Sequence, residues 1–187
     1  MNEPWFYAVW TVGAFVVGTL PVGDLVARTK GVDIRALGTG NPGSANIYRE
    51  IGPAHGVAVF LLDVSKGAVA TVPLLLLDLP SWSGLAATTA VVGGHLFPFL
   101  WRIEGGTGMA VALGTMPGLL PLGVLVSAPL GVVWFVLKRN PAQTGAIVFV
   151  VTAVAGGLMH REPVAVLAVA LAAVAITVKA RVQYGGR

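Results

Sequence analysis

The residues best suited to chemistry lie in one polar stretch, 37–49, which reads LGTGNPGSANIYR. Its three glycines leave backbone N–H groups uncrowded, and such groups can fold into a concave nest that binds phosphate. A helix that begins near Ser44 would add its free N-terminal donors. We therefore predict a phosphate-binding loop, and its candidate residues are Thr39, Gly40, Asn41, Gly43, Ser44, Asn46 and Arg49.

Residue chemistry alone leaves two other interpretations of this stretch. Gly38, Gly40 and Gly43 have the spacing of a dinucleotide-binding fingerprint. No βαβ unit surrounds them, so we regard that match as accidental. The stretch could equally be a turn between two membrane helices.

Three ionisable side chains are further candidates. Asp63 and Lys66 are three residues apart in an apolar stretch, so on a helix they share a face and can pair. An ionisable group at mid-membrane costs about 2.5–3.5 kcal/mol on insertion scales, so both should face protein or water. His95 lies shortly before a second polar stretch. Lys66 and His95 are the catalytic candidates; a structural ion pair and a satisfied core histidine are the alternatives.

Composition indicates a polytopic membrane protein. Of 187 residues, 56% are hydrophobic and 11% charged, and the mean hydropathy is +0.82; soluble domains carry roughly 25% charged residues. The absence of cysteine excludes disulfides, thiol nucleophiles and thiolate metal sites. His55, His95 and His160 are widely spaced and form no metal-ligand motif. We predict no metal, no cofactor and no nucleic-acid partner.

The elements that must position these residues are membrane helices. Crossing roughly 30 Å of hydrocarbon takes about 20 apolar residues. An all-α fold with seven spans in one domain, 1–187, accounts for the apolar stretches if 109–137 divides at a proline-rich turn near 116–121; six spans are the alternative. The other predicted spans are 5–27, 54–77, 84–101, 144–158 and 164–178.

The distribution of positive charge predicts the orientation. Ten of the twelve Lys and Arg residues fall in loops or the tail on one side, against Arg161 alone on the other. The basic side should be cytoplasmic, with the N-terminus outside and the C-terminus inside. Three polar loops, 28–53, 102–108 and 138–143, then reach the same face. Loops that converge on one face can build a site.

These motifs resemble a known family, the bacterial acyl-phosphate:glycerol-3-phosphate acyltransferases. The likeness rests on residues 38–49, on LDVSKG at 62–67, and on GHLFP at 94–98 with GGTG at 105–108. Together with GTLPVG at 18–23, it extends over about residues 13–115. It implies acyl transfer from an acyl phosphate to the 1-hydroxyl of glycerol 3-phosphate, which makes lysophosphatidic acid at the cell membrane. Gly105, Gly106 and Gly108 would form a second, weaker nest.

The resemblance breaks at several site positions. The family has a basic residue before the paired glycines and a lysine after them, where this chain has Glu104 and Thr107. Its serine in the first loop is here Thr39. Its Ser-Leu-x-Ser pattern in the third loop is AQTG at 142–145, and its histidine and asparagine after the last helix have no match in 179–187.

The departures keep other functions open. One charge-assisted hydrogen bond to phosphate contributes about 1.5–3 kcal/mol, so its loss weakens binding about tenfold to over a hundredfold. A non-catalytic relative that binds a lipid phosphate or serves as a membrane scaffold subunit is therefore the alternative to a divergent enzyme. A transporter is a third possibility, supported only by Asp63 and Lys66 within the membrane.

Overall fold

The computed structural model describes residues 3–160 and 162–184, and the regular elements in these ranges are helices. Arg161 and Arg187, which entered the charge count, lie outside the described residues. Short 3-10 turns cover Ile34–Ala36 and Phe99–Trp101. The nine α-helices in the described ranges are α1 (Pro4–Gly18), α2 (Val22–Arg28), α3 (Ser44–Glu50), α4 (Pro53–Leu76), α5 (Ser81–Leu96), α6 (Met109–Leu119), α7 (Pro121–Lys138), α8 (Pro141–His160) and α9 (Pro163–Tyr184).

The helices confirm the all-α polytopic membrane fold. Six helical segments within the described residues are long and apolar enough to cross a bilayer. The eleven-residue α6 is apolar but shorter; at 1.5 Å per residue it covers about 16 Å, or half of the hydrocarbon core. The count of seven crossings and the sides of the two termini stay predictions.

The first predicted span, 5–27, lies within one candidate membrane span, Pro4–Arg28, but Pro21 interrupts its helix, so the span is not one continuous helix. A proline inside a helix lacks an N–H donor and its ring clashes with the preceding turn. Helix α1 therefore ends at Gly18 and α2 begins at Val22. The break leaves the carbonyl of Leu20 outside the helical hydrogen-bond ladder, and this carbonyl accepts a bond from Lys66 Nζ at 2.6 Å.

Proline also sets the later boundaries. The predicted turn within 109–137 is confirmed, because α6 ends at Leu119 and α7 begins at Pro121. The third loop is shorter than the predicted 138–143, since α8 already starts at Pro141, where the missing N–H is not needed. Helix α9 runs to Tyr184 and so includes residues 179–184, which were expected in a tail.

Glycines let the central helices approach closely. Helix α4 packs on α6, where a Cβ on Gly67 would collide with the carbonyl of Val111 and one on Gly114 with the carbonyl of Val64. Helices α1 and α5 cross in the same way at Gly18 and Gly94, whose Cβ atoms would meet backbone oxygens. Small residues at crossings are typical of membrane helices, where close backbone packing replaces the hydrophobic effect.

Replacing Gly114 with alanine should destabilise the fold by about 1–3 kcal/mol, because the new methyl group meets rigid backbone. The midpoint of thermal unfolding in detergent measures the effect. Gly13→Ala is the matched control, since a Cβ there meets nothing within 4 Å and alanine favours the helix. Equal midpoints for the two variants would contradict close α4–α6 packing.

Candidate functional site

The first glycine loop, residues 37–43, is held in place by hydrogen bonds to the side chain of Asn46. Its Oδ1 accepts a hydrogen bond from the Thr39 amide at 3.1 Å, and its Nδ2 donates to the Leu37 carbonyl at 3.0 Å. The Asn46 residue is only 2% exposed. Gly38 and Gly40 adopt positive φ angles of 52° and 69° that suit glycine. Both polar atoms of the Asn46 amide are therefore used to hold the loop.

Asn41 links this loop to the second glycine loop, residues 105–108. Its Nδ2 donates to Thr107 Oγ1 at 3.4 Å, while its Oδ1 accepts from the Gly43 amide at 3.0 Å. The amides of Gly40 and Asn41 also donate within the loop, to the Leu37 carbonyl and to Thr39 Oγ1. The loop amides of Thr39, Gly40, Asn41 and Gly43 therefore already have partners within this region, in contrast to the free backbone nest that the glycine spacing predicted.

The second glycine loop closes over His95. A Cβ on Gly105 would collide with the carbonyls of His95 and Leu96, and a Cβ on Gly106 would lie 2.7 Å from His95 Nε2. Gly108 has a positive φ of 83° and begins α6. The glycines at these positions therefore allow the backbone to lie directly against the imidazole.

A buried charge cluster lies beneath the two loops. Lys66 Nζ is 2.7 Å from Asp63 Oδ1 and 2.6 Å from the Leu20 carbonyl, and the two charged residues are 4% and 2% exposed. The predicted pairing of Asp63 with Lys66 is confirmed. His95 Nδ1 lies 3.9 Å from the same Asp63 oxygen. A proton on Nδ1 would face the carboxylate and leave Nε2 as a proton acceptor beside Gly106.

The first two polar loops and the start of α8 line one pocket of about 250 Å³, called the polar pocket because ionisable side chains border it. Arg49 lines it and is exposed, and its guanidinium makes no side-chain hydrogen bond or ion pair within the described ranges. Of the other predicted site residues, Lys66, Gly40, Gly105 and Gly106 stand outside the immediate lining. The pocket is lined by Thr39, Asn41, Gly43, Ser44, Ala45, Asn46, Arg49, Phe60, Asp63, His95, Thr107, Gly108, Met109, Ala110, Leu113, Pro141, Ala142, Gly145 and Ala180.

An apolar cavity of about 360 Å³ adjoins the polar pocket. Helices α4, α7 and α8 supply most of its walls, with aromatic contributions from Tyr48, Phe60 and Phe135. Ser44, Phe60 and Leu113 line both spaces. The polar pocket and the apolar cavity thus lie side by side and share a wall.

Sequence reasoning missed the clamp that joins the first half of the site. Arg35 Nε and Nη2 bond the two carboxylate oxygens of Asp24 at 2.9 and 3.1 Å, and Nη2 also donates to the Glu104 carbonyl at 2.6 Å. From the sequence alone, Arg28, four residues after Asp24, would be the expected partner, but Asp24 pairs with Arg35. A pairing across eleven residues of irregular chain has no periodic signal, whereas an i,i+4 pair on a helix does.

Replacing Asn46 with alanine should free the first glycine loop, since two hydrogen bonds from a buried amide are lost. We expect the Thr39 amide to exchange with solvent at least tenfold faster, consistent with about 1–3 kcal/mol for unmet buried groups. Hydrogen exchange with mass spectrometry measures it. Ser65→Ala is the control, because that exposed hydroxyl bonds only its own helix; unchanged exchange in Asn46→Ala would refute the fastening role.

Removing one member of the buried ion pair should destabilise the fold more than removing both. Asp63→Asn or Lys66→Met alone leaves a buried charge unpaired, which costs about 3–5 kcal/mol. The double variant loses both charges and should recover part of that loss. Thermal midpoints of the four proteins form a double-mutant cycle, and strictly additive effects would count against a coupled pair.

Fold and pocket together define a helical membrane protein with a glycine-rich polar site beside an apolar cavity. The glycerol-3-phosphate acyltransferase family model matches residues 8–184, and the chain belongs to this family. The match reaches into α9, well beyond the 13–115 region where motifs were visible.

Named relatives support the membership. A glycerol-3-phosphate acyltransferase of Thermus thermophilus is 35% identical over 168 residues, covering 88% of this chain and 84% of the relative. The enzyme of Geotalea daltonii is 38% identical over 119 residues, or 64% of this chain and 61% of that protein. The relative from Geobacter metallireducens is 39% identical over 115 residues, which cover 61% of this chain and 59% of that protein. The chain thus matches only about three fifths of the length of these last two relatives.

Two solved structures share the fold. The crystal structure of PlsY (YgiH), an integral membrane glycerol 3-phosphate acyltransferase, in its glycerol 3-phosphate form superposes with a TM-score of 0.83 at 25% identity. The lysophosphatidic acid form gives a TM-score of 0.79. Each comparison covers 94% of this chain and 88% of the other.

Proposed function

We propose that this protein transfers an acyl group from an acyl phosphate to glycerol 3-phosphate and so forms lysophosphatidic acid. The observation that carries the proposal is the polar pocket with an apolar cavity against its wall. A phosphate-bearing acceptor suits the first space and an acyl chain suits the second. Family membership and the glycerol 3-phosphate and lysophosphatidic acid forms of the PlsY structures support the same substrates.

The reaction depends more on the positioning of the two substrates than on a strong nucleophile. The acceptor hydroxyl oxygen attacks the acyl carbonyl carbon, the bond from that carbon to the phosphate oxygen breaks, and inorganic phosphate leaves. His95 Nε2 takes the hydroxyl proton and passes it to the departing phosphate. Arg49 holds a phosphate group, and alignment of two bound substrates lowers the barrier of such a step.

Lys66 has a supporting role in this scheme. Its ammonium is held by Asp63 and the Leu20 carbonyl, so it does not reach into the pocket as a direct ligand. The pair instead fixes the carboxylate that faces His95 Nδ1. The histidine is thereby kept with Nε2 toward the loops, where the hydroxyl proton has to be collected.

We further propose that the site opens to the cytoplasm. The polar loops carry most of the positive charge of the chain, and basic loops remain on the cytoplasmic side of bacterial membranes. Glycerol 3-phosphate, a soluble and charged molecule, would then reach the pocket without crossing the bilayer.

A phosphate-binding relative without turnover is the second candidate. One observation favours it: residues 103–108, IEGGTG, contain no Lys or Arg. Thr107 accepts a hydrogen bond from Asn41, so it ties the loops together and supplies no positive charge. This candidate predicts binding of glycerol 3-phosphate with no acyl transfer.

Purified protein in detergent should form lysophosphatidic acid from palmitoyl phosphate and glycerol 3-phosphate. Arg49→Ala should lower kcat/KM about tenfold to over a hundredfold, since a charge-assisted bond to phosphate is lost. Arg28→Ala is the control, because this exposed arginine lies outside the polar pocket. Phosphate release and lipid product are measured together.

Two experimental results would change the proposed function or the proposed role of Arg49. Folded wild-type protein that binds glycerol 3-phosphate and forms no product would favour the non-catalytic candidate. Full activity in Arg49→Ala would remove Arg49 from the site while leaving the reaction in place.

A further inference from the structure

Lys179 of α9 reaches the second glycine loop from a part of the chain that carries none of the recognised motifs. Its Nζ lies over the ring of Phe97, 4.8 Å from the centroid. It also interacts electrostatically with Glu104. Phe97 follows α5 directly and is 63% exposed, so its ring serves as a platform for the ammonium.

Helix α9 is a wall of the polar pocket at this level. Ala180, the next residue, lines the pocket together with Arg49, Thr107 and His95. Helix α9 packs against α5, the helix that carries His95. Lys179 therefore lies one residue from the pocket lining, and its ammonium lies over Phe97, the residue after Leu96, whose carbonyl is close to Gly105.

Two other cations near the second loop, Arg35 and Lys66, are already engaged. Arg35 makes two bonds to Asp24 and one to the Glu104 carbonyl. Lys66 is bonded to Asp63 and a carbonyl. No side-chain hydrogen bond or ion pair within 4 Å holds Lys179 in the described part of the chain; its ring contact leaves all three N–H donors available.

From this arrangement we infer that Lys179 binds a substrate phosphate at the second glycine loop and supplies the positive charge that residues 103–108 lack. The inference rests on the proposed function for the identity of the substrates. Glu104 attracts the ammonium toward the loop when the pocket is empty. A phosphate dianion carries more charge than one carboxylate and competes for it. Both substrates carry phosphate, so the site could serve either one.

Steady-state kinetics with each substrate varied in turn tests the inference. Lys179→Gln should raise KM for one substrate roughly tenfold to a hundredfold while kcat changes less than threefold. Lys179→Arg should restore most of the affinity. Arg181→Gln removes the same charge two residues away on an exposed part of α9 and should match the wild type. A change in KM for glycerol 3-phosphate assigns the acceptor phosphate; a change for palmitoyl phosphate assigns the donor.

A binding measurement separates this inference from the assigned activity. Thermal unfolding in detergent with added glycerol 3-phosphate or inorganic phosphate reports binding without turnover. Stabilisation that Lys179→Gln loses and Arg181→Gln keeps would support the inference even if the wild type shows no acyl transfer. Unchanged KM values and an unchanged thermal shift in Lys179→Gln would overturn it. So would a lowered kcat and unfolding midpoint with both KM values intact, or a wild type that no phosphate compound stabilises.

Discussion

The contact between Lys66 and the broken first span organises the rest of this protein. Pro21 interrupts the helix and leaves the Leu20 carbonyl outside the helical ladder, and the buried ammonium of Lys66 satisfies that carbonyl. The same ammonium neutralises Asp63, and Asp63 faces His95. Each group would be costly alone in an apolar interior. Three separate stretches of the chain are thereby held together at the floor of the pocket.

Over this charge cluster lie the two glycine loops, in which the absence of side chains lets the backbone pack closely. The second glycine loop lies against the imidazole because Gly105 and Gly106 carry no side chain. Asn46 and Asn41 then fix the first loop and join it to the second. Arg35 fastens the outer edge by holding Asp24 and the Glu104 carbonyl. Rigid polar loops of this kind keep a small pocket open beside a bilayer.

Local features of the sequence explain most of what could be predicted. Apolar length predicted the spans, three-residue spacing predicted the Asp63–Lys66 pair, and proline content predicted the turn between α6 and α7. The misses were tertiary. At the Pro21 kink, the Leu20 carbonyl accepts hydrogen bonds from the Val22 amide and from Lys66 Nζ, which is 46 residues away. The Arg35 clamp and the approach of α9 likewise depend on chain distance that no periodicity encodes.

The common wall between the polar pocket and the apolar cavity has a consequence for how substrates would enter and how the product would leave. Ser44, Phe60 and Leu113 border both spaces, so a water-soluble group in one space and an apolar chain in the other would meet at this shared wall. Under the proposed reaction, a charged acceptor would enter from the aqueous side, and the acylated product would leave laterally into one leaflet without crossing the bilayer.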